Sequence, residues 1–598
     1  MKLSKLYSSK ADVFEPIEFA PGLNVVLGEI RLPENKNRDT HNLGKTTLGS
    51  MIDYCLLATR DNEFFLFKQF DSFRDFIFFF EVELLDATYV TIRRGVEEAT
   101  KISFKKHLKA KQDFTDLPQS AWDHFDVPFE RAKELLDGLL DLQALKPWSY
   151  RNGLGYLVRS QEDFVDIFRL KKFKSAQSEW KPYLAHLLGF NAETIESHYK
   201  KEEELIEKEL AAQTIKAELG GAVQNLSKIE GMLLLKRKDA ERRQAFLDAF
   251  DFRAQDKRKT KELVDEIDAR IAELNKARYS LTQNRKKVLA SLENGQVLFD
   301  PDEAERLFDE AGVFFKGQIK HDFQQLIAFN KAVTEERQQY LQEERNEIES
   351  ELKRINSELN EMGKKRSSTL SYLSGSDIFS KYKQITDELV NLKADIASLE
   401  RQQRFLLRLQ ELRKEIGALR EEKDHLRRLI EEDVDEQRGN PQSLFSSTLL
   451  FFSDIVEEVI DRKVLLSVVI NKEGHLEFKA DILDESGNAT SAAGGHSYKK
   501  LLCIAFDMAI VRAHLDAKFP RFIFHDGVFE SLDDRKKENL ISVIRKYCEI
   551  GLQHIITLID SDLPAHFADD SLPFKDDEII LRLHDEGESG RLFKMRPW

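Results

Sequence analysis

The most specific chemistry in this 598-residue chain lies between Gly28 and Thr47, GEIRLPENKNRDTHNLGKTT. An apolar run, Leu23 to Leu27, precedes it, and a helical pattern carrying Leu48, Met51 and Ile52 follows. Strand, loop and helix in that order suit a phosphate-binding loop. Backbone N–H groups at the helix N-terminus face the anion, a first-turn lysine reaches the β- and γ-phosphates, and the next hydroxyl ligates Mg²⁺. The residues so predicted are Gly28, Asn42, Gly44, Lys45, Thr46 and Thr47. Lys45 follows Gly28 by 17 positions where the pattern GxxxxGKS/T has 6, so the loop carries about eleven extra residues. The plain alternative is a polar loop that ends in GKT, and a second nucleotide motif separates the two readings.

Such a site also needs a carboxylate opposite the loop to hold Mg²⁺ through water. Phe522-Ile523-Phe524 reads as a buried strand, with Asp526 just past its end in His525-Asp526-Gly527. Asp533 follows in Ser531-Leu532-Asp533, with Glu530 between. Upstream, Gly494 and Gly495 of SAAGGHSY lead into an apolar helix containing Leu501, Leu502 and Phe506, and Gln161 stands just after an apolar strand near Val158. An apolar strand ending in aspartate is common. Its company here makes it informative.

These residues must be positioned by two mixed α/β stretches separated by a long helical one. Up to about residue 190, Phe14 to Phe19, Leu23 to Leu27, Phe76 to Leu84 and Tyr89 to Arg93 read as strands, with Phe78-Phe79-Phe80 as sheet core. From about 192 the period turns helical, as in Ile385, Leu389, Leu392, Ile396 and Leu399, with charges filling the gaps. The pattern breaks at 246–256 and 366–380, and 294–317 carries three glycines and Pro301. If the chain folds back at that proline, 257–295 pairs with 321–365 and 192–244 with 381–435, which puts both breaks at one height. An antiparallel hairpin of roughly 100 helical residues per side would reach about 150 Å. The same four segments also suit a compact helical bundle. After Pro441 the α/β pattern returns, with Val464 to Ile470 and His475 to Ile482 as a hairpin and Ile555 to Leu558 as a buried strand.

Composition agrees with long solvated helices, at 33% charged against 41% apolar residues. The three cysteines form no CxxC, which argues against a disulfide framework or a thiolate zinc site. No run of about 18 apolar residues occurs, so a cytoplasmic protein is expected, with no membrane partner. A net charge of −15 opposes whole-surface attraction to nucleic acid while leaving room for a local basic groove.

The order of phosphate loop, glutamine, long helical hairpin, glycine-led helix, strand-aspartate and SLD resembles the SMC and RecN group of ABC-type ATPases. More narrowly, WKPYLAHLLGF, AERLFDEAGVFF, SYKKLLCIAFD and FIFHDGVFESLDD resemble the ATPase of bacterial ABC three-component anti-phage defence systems. The resemblance implies an α/β ABC-ATPase head assembled from N- and C-terminal halves, a mixed sheet with flanking helices, plus a long antiparallel coiled-coil arm with one joint. The implied segments are 1–191 and 439–598 for the head, 192–293 and 321–438 for the arm, and 294–320 for its tip. It further implies ATP with Mg²⁺ on Lys45, Thr46 and Asp526, Gln161 contacting Mg²⁺ or the attacking water, and Gly494, Gly495 and Ser497 meeting the nucleotide of a second subunit. Asp533 falls at the D-loop.

Three departures weaken the implied catalysis. The family's glutamate position after the aspartate is Gly527, leaving Glu530 as the nearby carboxylate of the right type. AAGGH stands where the family has LSGGE, and Ile559 stands near its switch histidine, with His525 and His554 read as structural. A weak ATPase is therefore expected, with Asp526, Glu530 and Gln161 as its catalytic group. The tip lacks the cysteines of a zinc hook and offers Leu307, Phe308, Val313, Phe314 and Phe315 instead. The expected partners are a second copy joined through the heads, double-stranded DNA, and accessory or effector subunits in anti-phage or anti-plasmid defence. Lysines at 105–111 and 171–174 are candidate phosphate contacts. The alternatives are a nucleotide-gated scaffold that does not touch DNA and a RecN-like DNA repair ATPase.

Overall fold

The computed structural model describes residues 1–32, 43–170, 177–219, 225–249, 257–293, 317–371, 377–490, 496–530, 532–564 and 572–596. Asn42, Gly494, Gly495, the lysines at 171–174 and the tip residues Leu307 to Phe315 lie outside them, as does the side chain of Ser497. The chain divides into two compact units, Met1–Glu203 with Glu421–Trp598, and Glu204–Arg420.

In the first unit the strands are β1 (Lys2–Ser8), β2 (Ile17–Glu18), β3 (Leu23–Glu29), β4 (Ile77–Glu83), β5 (Tyr89–Gly95), β6 (Lys101–His107), β7 (His124–Pro128), β8 (Val158–Arg159), β9 (Val464–Ile470), β10 (Leu476–Ile482), β11 (Phe522–His525), β12 (Gln553–Ile559) and β13 (Ile579–His584). The helices of two or more turns are α1 (Lys45–Cys55), α2 (Phe129–Leu140), α3 (Tyr150–Leu157), α4 (Gln177–Leu187), α5 (Ala192–Glu218), α6 (Leu226–Asp248), α7 (Lys257–Glu293), α8 (Gly317–Ser371), α9 (Asp377–Gly439), α10 (Leu444–Ile460), α11 (His496–Ala513) and α12 (Asp534–Glu549). No helix among the described residues is long and apolar enough to cross a membrane.

A parallel sheet in the order β13-β3-β12-β11-β8 carries the residues of interest. Its central strands β3, β12 and β11 are buried almost throughout, as strands covered on both faces are. β3, from the first thirty residues, lies between two strands from the last fifty, with Gly28 opposite Ile559 and Leu583. An antiparallel sheet in the order β2-β1-β4-β5-β6-β7 packs beside it. In β4, alternation sends Phe78 and Phe80 into the main core with Phe14 and Phe593, and Phe79 into a second cluster with Tyr7 and Trp122.

Several local readings change. Phe14 to Phe19 contains only the two-residue β2, and Gln161 follows helix α3 and a two-residue strand. The N-terminal MKLSKLYS is strand β1, and the basic stretch beginning at Lys101 is strand β6. Lys105 and Lys106 of this strand pair with Asp123 at 2.9 Å and Asp86 at 3.1 Å, and Lys111, beyond its end, pairs with Glu18 at 3.0 Å.

In the second unit the partners run in opposite order along paired helices. Lys208 meets Glu415, Lys236 meets Asp395 and Arg243 meets Glu388, joining α5 and α6 to α9. Arg270 meets Glu358 and Arg285 meets Glu349, joining α7 to α8. Apolar seams lie beneath, such as Ile229 and Leu233 with Leu406, and Leu247 with Tyr382 and Leu389. The two pairs also touch each other. Arg366 of α8, 2.8 Å from Asp268 of its own pair, reaches across to Asp387 of α9, Tyr279 of α7 bonds Ser398 of α9 at 2.7 Å, and Lys287 of α7 meets Glu218 of α5 at 2.8 Å. An arm of ~150 Å needs these pairs end to end. Instead α7 lies alongside α9, where the Tyr279 and Ser398 hydroxyls bond.

Candidate nucleotide site

Helix α1 starts immediately after Gly44, whose φ of +99° is a left-handed conformation that favours glycine. Among the described residues no side chain caps this helix, and its first turn holds no acid, which leaves its N–H groups and positive dipole end suited to an anion. Lys45 and Thr46 occupy that first turn, with Thr47 behind them.

The parallel sheet brings Asp526 to the same place from the other end of the chain. The Thr46 hydroxyl donates to Asp526 Oδ2 at 2.6 Å, across 480 residues of sequence. Asp526 is fully buried, and its other oxygen accepts from the Thr557 hydroxyl. Thr557 Oγ1 also accepts from the Gly527 N–H at 3.0 Å, so β12 holds the aspartate and its neighbour in place.

Gly28 lies at the end of β3, and a side chain there would meet Ile559 Cγ2 at 3.3 Å and Lys45 Cδ at 3.4 Å. The lysine stem therefore packs over this end of the sheet. Burial pushes the Lys45 ammonium below its ordinary value, opposed by the carboxylates of Asp526, Asp562, Glu530 and Asp560.

Glu530 is held from two sides. Gln161 Nε2 donates to its Oε1 at 2.7 Å, and Lys500 Nζ donates to its Oε2 at 2.7 Å and to the Gly527 carbonyl at 2.9 Å. Lys500 projects from α11 and is almost wholly buried, with 3% of its side chain exposed. Asp533 stands apart from this group. It caps α12 by accepting from Lys536 N–H at 3.1 Å and pairs with Lys536 Nζ at 2.6 Å, which holds its carboxyl below the usual range.

Beneath the aspartate, Arg159 grips both oxygens of Asp507 at 2.7 Å each. Asp507 Oδ2 lies 3.0 Å from His525 Nε2, and His525 Nδ1 lies 2.9 Å from His554 Nε2. Burial keeps both histidines below their ordinary pKa, so they are neutral at pH 7. The network ties α11, β8, β11 and β12 together under the site.

A divalent cation fits the Thr46–Asp526 meeting point, where two hard oxygen donors already converge. No group of three or more His, Cys, Asp or Glu assembles to hold a metal among the described residues. Two protein oxygens suit an ion such as Mg²⁺, which takes one or two of them and completes its shell with phosphates and water. A cavity of about 930 Å³ opens beside it, walled by Thr46, Ser50, Asp53, Arg151, Ser160 and Asp526.

Sequence reading passed over Lys500, Thr557, Asp507 and Asp562. The signals were polar residues inside apolar runs: a lysine just before LLCIAF, and a threonine in IITLI.

Residues 455–597 match the family described as "Uncharacterised protein conserved in bacteria (DUF2326)". No curated protein matches the chain. Among solved structures it is similar to the Smc head domain with a coiled coil and joint from Pyrococcus yayanosii, at 14% identity and a TM-score of 0.33 over 94% of this chain and 92% of that one. It is also similar to the Smc head domain with an extended coiled coil bound to the C-terminal domain of ScpA from Pyrococcus furiosus, at 11% identity and a TM-score of 0.31 over 94% and 90%. Likeness at these TM-scores carries no inference about function.

Proposed function

We propose that the chain binds ATP with Mg²⁺ and hydrolyses it slowly, as an SMC- or RecN-like protein whose paired helices act as a jointed coiled-coil arm. The 2.6 Å bond between Thr46 and Asp526 carries the reading, because it joins the two halves of a phosphate-and-metal site that the sequence separates by hundreds of residues. The α1 N-terminus and Lys45 bind the β- and γ-phosphates. Thr46 and Asp526 hold Mg²⁺, which when bound neutralises phosphate charge and polarises the γ-phosphorus. Thr557 fixes Asp526, and Gln161 with Lys500 fixes Glu530 beside Gly527. With glycine where the related pattern has glutamate, no base stands directly beside Asp526, where one would contribute about 10²- to 10⁴-fold, and turnover is slow.

In this reading two heads close on two ATP molecules, with Gly494, Gly495, Ser497 and Asp533 facing the second nucleotide. Closure on double-stranded DNA is passed along the arm to effector subunits in anti-phage defence. A second reading, a nucleotide-gated scaffold that does not touch DNA, draws support from the pairing of Lys105, Lys106 and Lys111 with acids, which leaves those cations less available to phosphates.

Equilibrium binding of a fluorescent ATP analogue tests the core claim. Lys45→Ala and Asp526→Asn are expected to weaken binding or its Mg²⁺ dependence by tenfold or more, on the order of 1.4 kcal/mol. Parent-like, Mg²⁺-dependent binding by both variants sinks it. A salt titration of DNA binding with and without ATP then decides between clamp and scaffold.

A further inference from the structure

The chain lacks the usual glutamate, and Glu530 is already engaged at both oxygens by Gln161 and Lys500. A different carboxylate near Lys45 is not so engaged. Asp562 lies three residues past Ile559, in the single 3-10 turn Asp560–Asp562 that ends β12. That turn is anchored to the start of the phosphate loop, because Ile30 N–H donates to Asp560 Oδ2 at 2.8 Å. Ile559 pairs with Gly28, and the Lys45 stem packs over the same point. Asp562 Oδ2 is buried and has no hydrogen-bond partner among the described residues. An unpaired buried carboxylate oxygen is costly, and such groups concentrate where chemistry uses them.

Resting on the ATP reading above, we propose that Asp562 is a catalytic residue, the general base that accepts the proton of the attacking water. The water oxygen bonds to the γ-phosphorus, and the bond from that phosphorus to the β–γ bridging oxygen breaks with its electron pair going to ADP. The water proton passes to Asp562 Oδ2 and leaves with phosphate or to solvent. Burial, the largest influence, and Glu530 raise this carboxyl from its ordinary value, while Lys45 from α1, the Ile559 backbone N–H and Lys537 from α12 favour its ionised form. A base must be ionised to act, so the rate should climb with pH through an acid limb displaced upward from that of a free aspartate.

Asp562→Asn is compared with the full-length parent in single-turnover hydrolysis, in binding of a fluorescent ATP analogue and in thermal unfolding. The expected result is a rate loss of about 10²-fold or more, with ATP binding within threefold of the parent. Thermal unfolding establishes that the variant is folded, so that a lost rate is read as lost chemistry. A variant that hydrolyses within threefold of the parent overturns the assignment of Asp562 alone. A parent that binds no ATP overturns the ATP reading with it. Should Asp562→Asn fail to fold, the parent's pH–rate profile decides: a profile with no rising acid limb overturns the proposal.

Discussion

Gly527 has a φ of +70°, and a side chain there would come within 2.6 Å of Glu530 Oε1 and 2.8 Å of Gln161 Nε2. The position that carries glutamate in the SMC and RecN pattern is thus closed here both by backbone conformation and by the Gln161–Glu530 bond that occupies the space. Restoring the glutamate should not restore activity. Gly527→Glu forces an L-residue into the left-handed region, at about 1–2 kcal/mol, and displaces Glu530 or Gln161. The expected outcome is a lower denaturation midpoint and no gain in ATP turnover; a tenfold faster variant would contradict this account. Lys500 belongs to the same arrangement, since its buried ammonium is the link from α11 to Glu530.

At the level of elements, the packing of α7 beside α9 rests on an imbalanced charge cluster. Arg366 lies 2.8 Å from Asp268 but is not aligned with it as a hydrogen bond, and Asp387 adds a second carboxylate. Burial, reinforced by Asp387 and Asp265, raises the Asp268 carboxyl from 3.8 to about 6 against the pull of Arg366. A carboxyl raised on folding contributes its full stability below the unfolded value and loses it as pH climbs through the folded one. The side-by-side packing should therefore be firm near pH 4 and weaken as pH rises through about 6. Spin labels replacing Tyr279 and Ser398, whose hydroxyls bond at 2.7 Å, report this as a longer or broader distance distribution at pH 7.5. Asp268→Asn should abolish the pH dependence; a variant that retains it removes Asp268 from the cause.

Across the whole molecule, the parallel sheet cannot be built from one end of the chain. β3 and β8 come from the first 160 residues, and their neighbours β13, β12 and β11 come from the last 80. Gln553 of β12 further binds the Leu3 backbone, accepting from its N–H at 2.7 Å and donating to its carbonyl at 2.8 Å. Residues 1–203 expressed alone should give no cooperative unfolding transition, whereas co-expression with 421–598 should yield a soluble complex that binds the ATP analogue. A cooperatively folded 1–203 fragment would show that the halves are independent domains.

What the sequence determined by itself was local. The period-3.6 and alternating patterns, the GKT at a helix start and the aspartate at a strand end all depend on neighbours within a few residues, so they are legible in one dimension. What that locality does not carry is pairing: the acidic partners of Lys105 and Lys106, Asp123 and Asp86, are elsewhere in the chain. Only the tertiary structure decided that Lys500 and Gln161 hold Glu530, that Thr557 fixes Asp526, and that Asp562 keeps a buried oxygen unpaired. It likewise decided that the helical pairs lie side by side. Each of these turns on desolvation and on partners tens to hundreds of positions away, and those come into being only when the chain has packed.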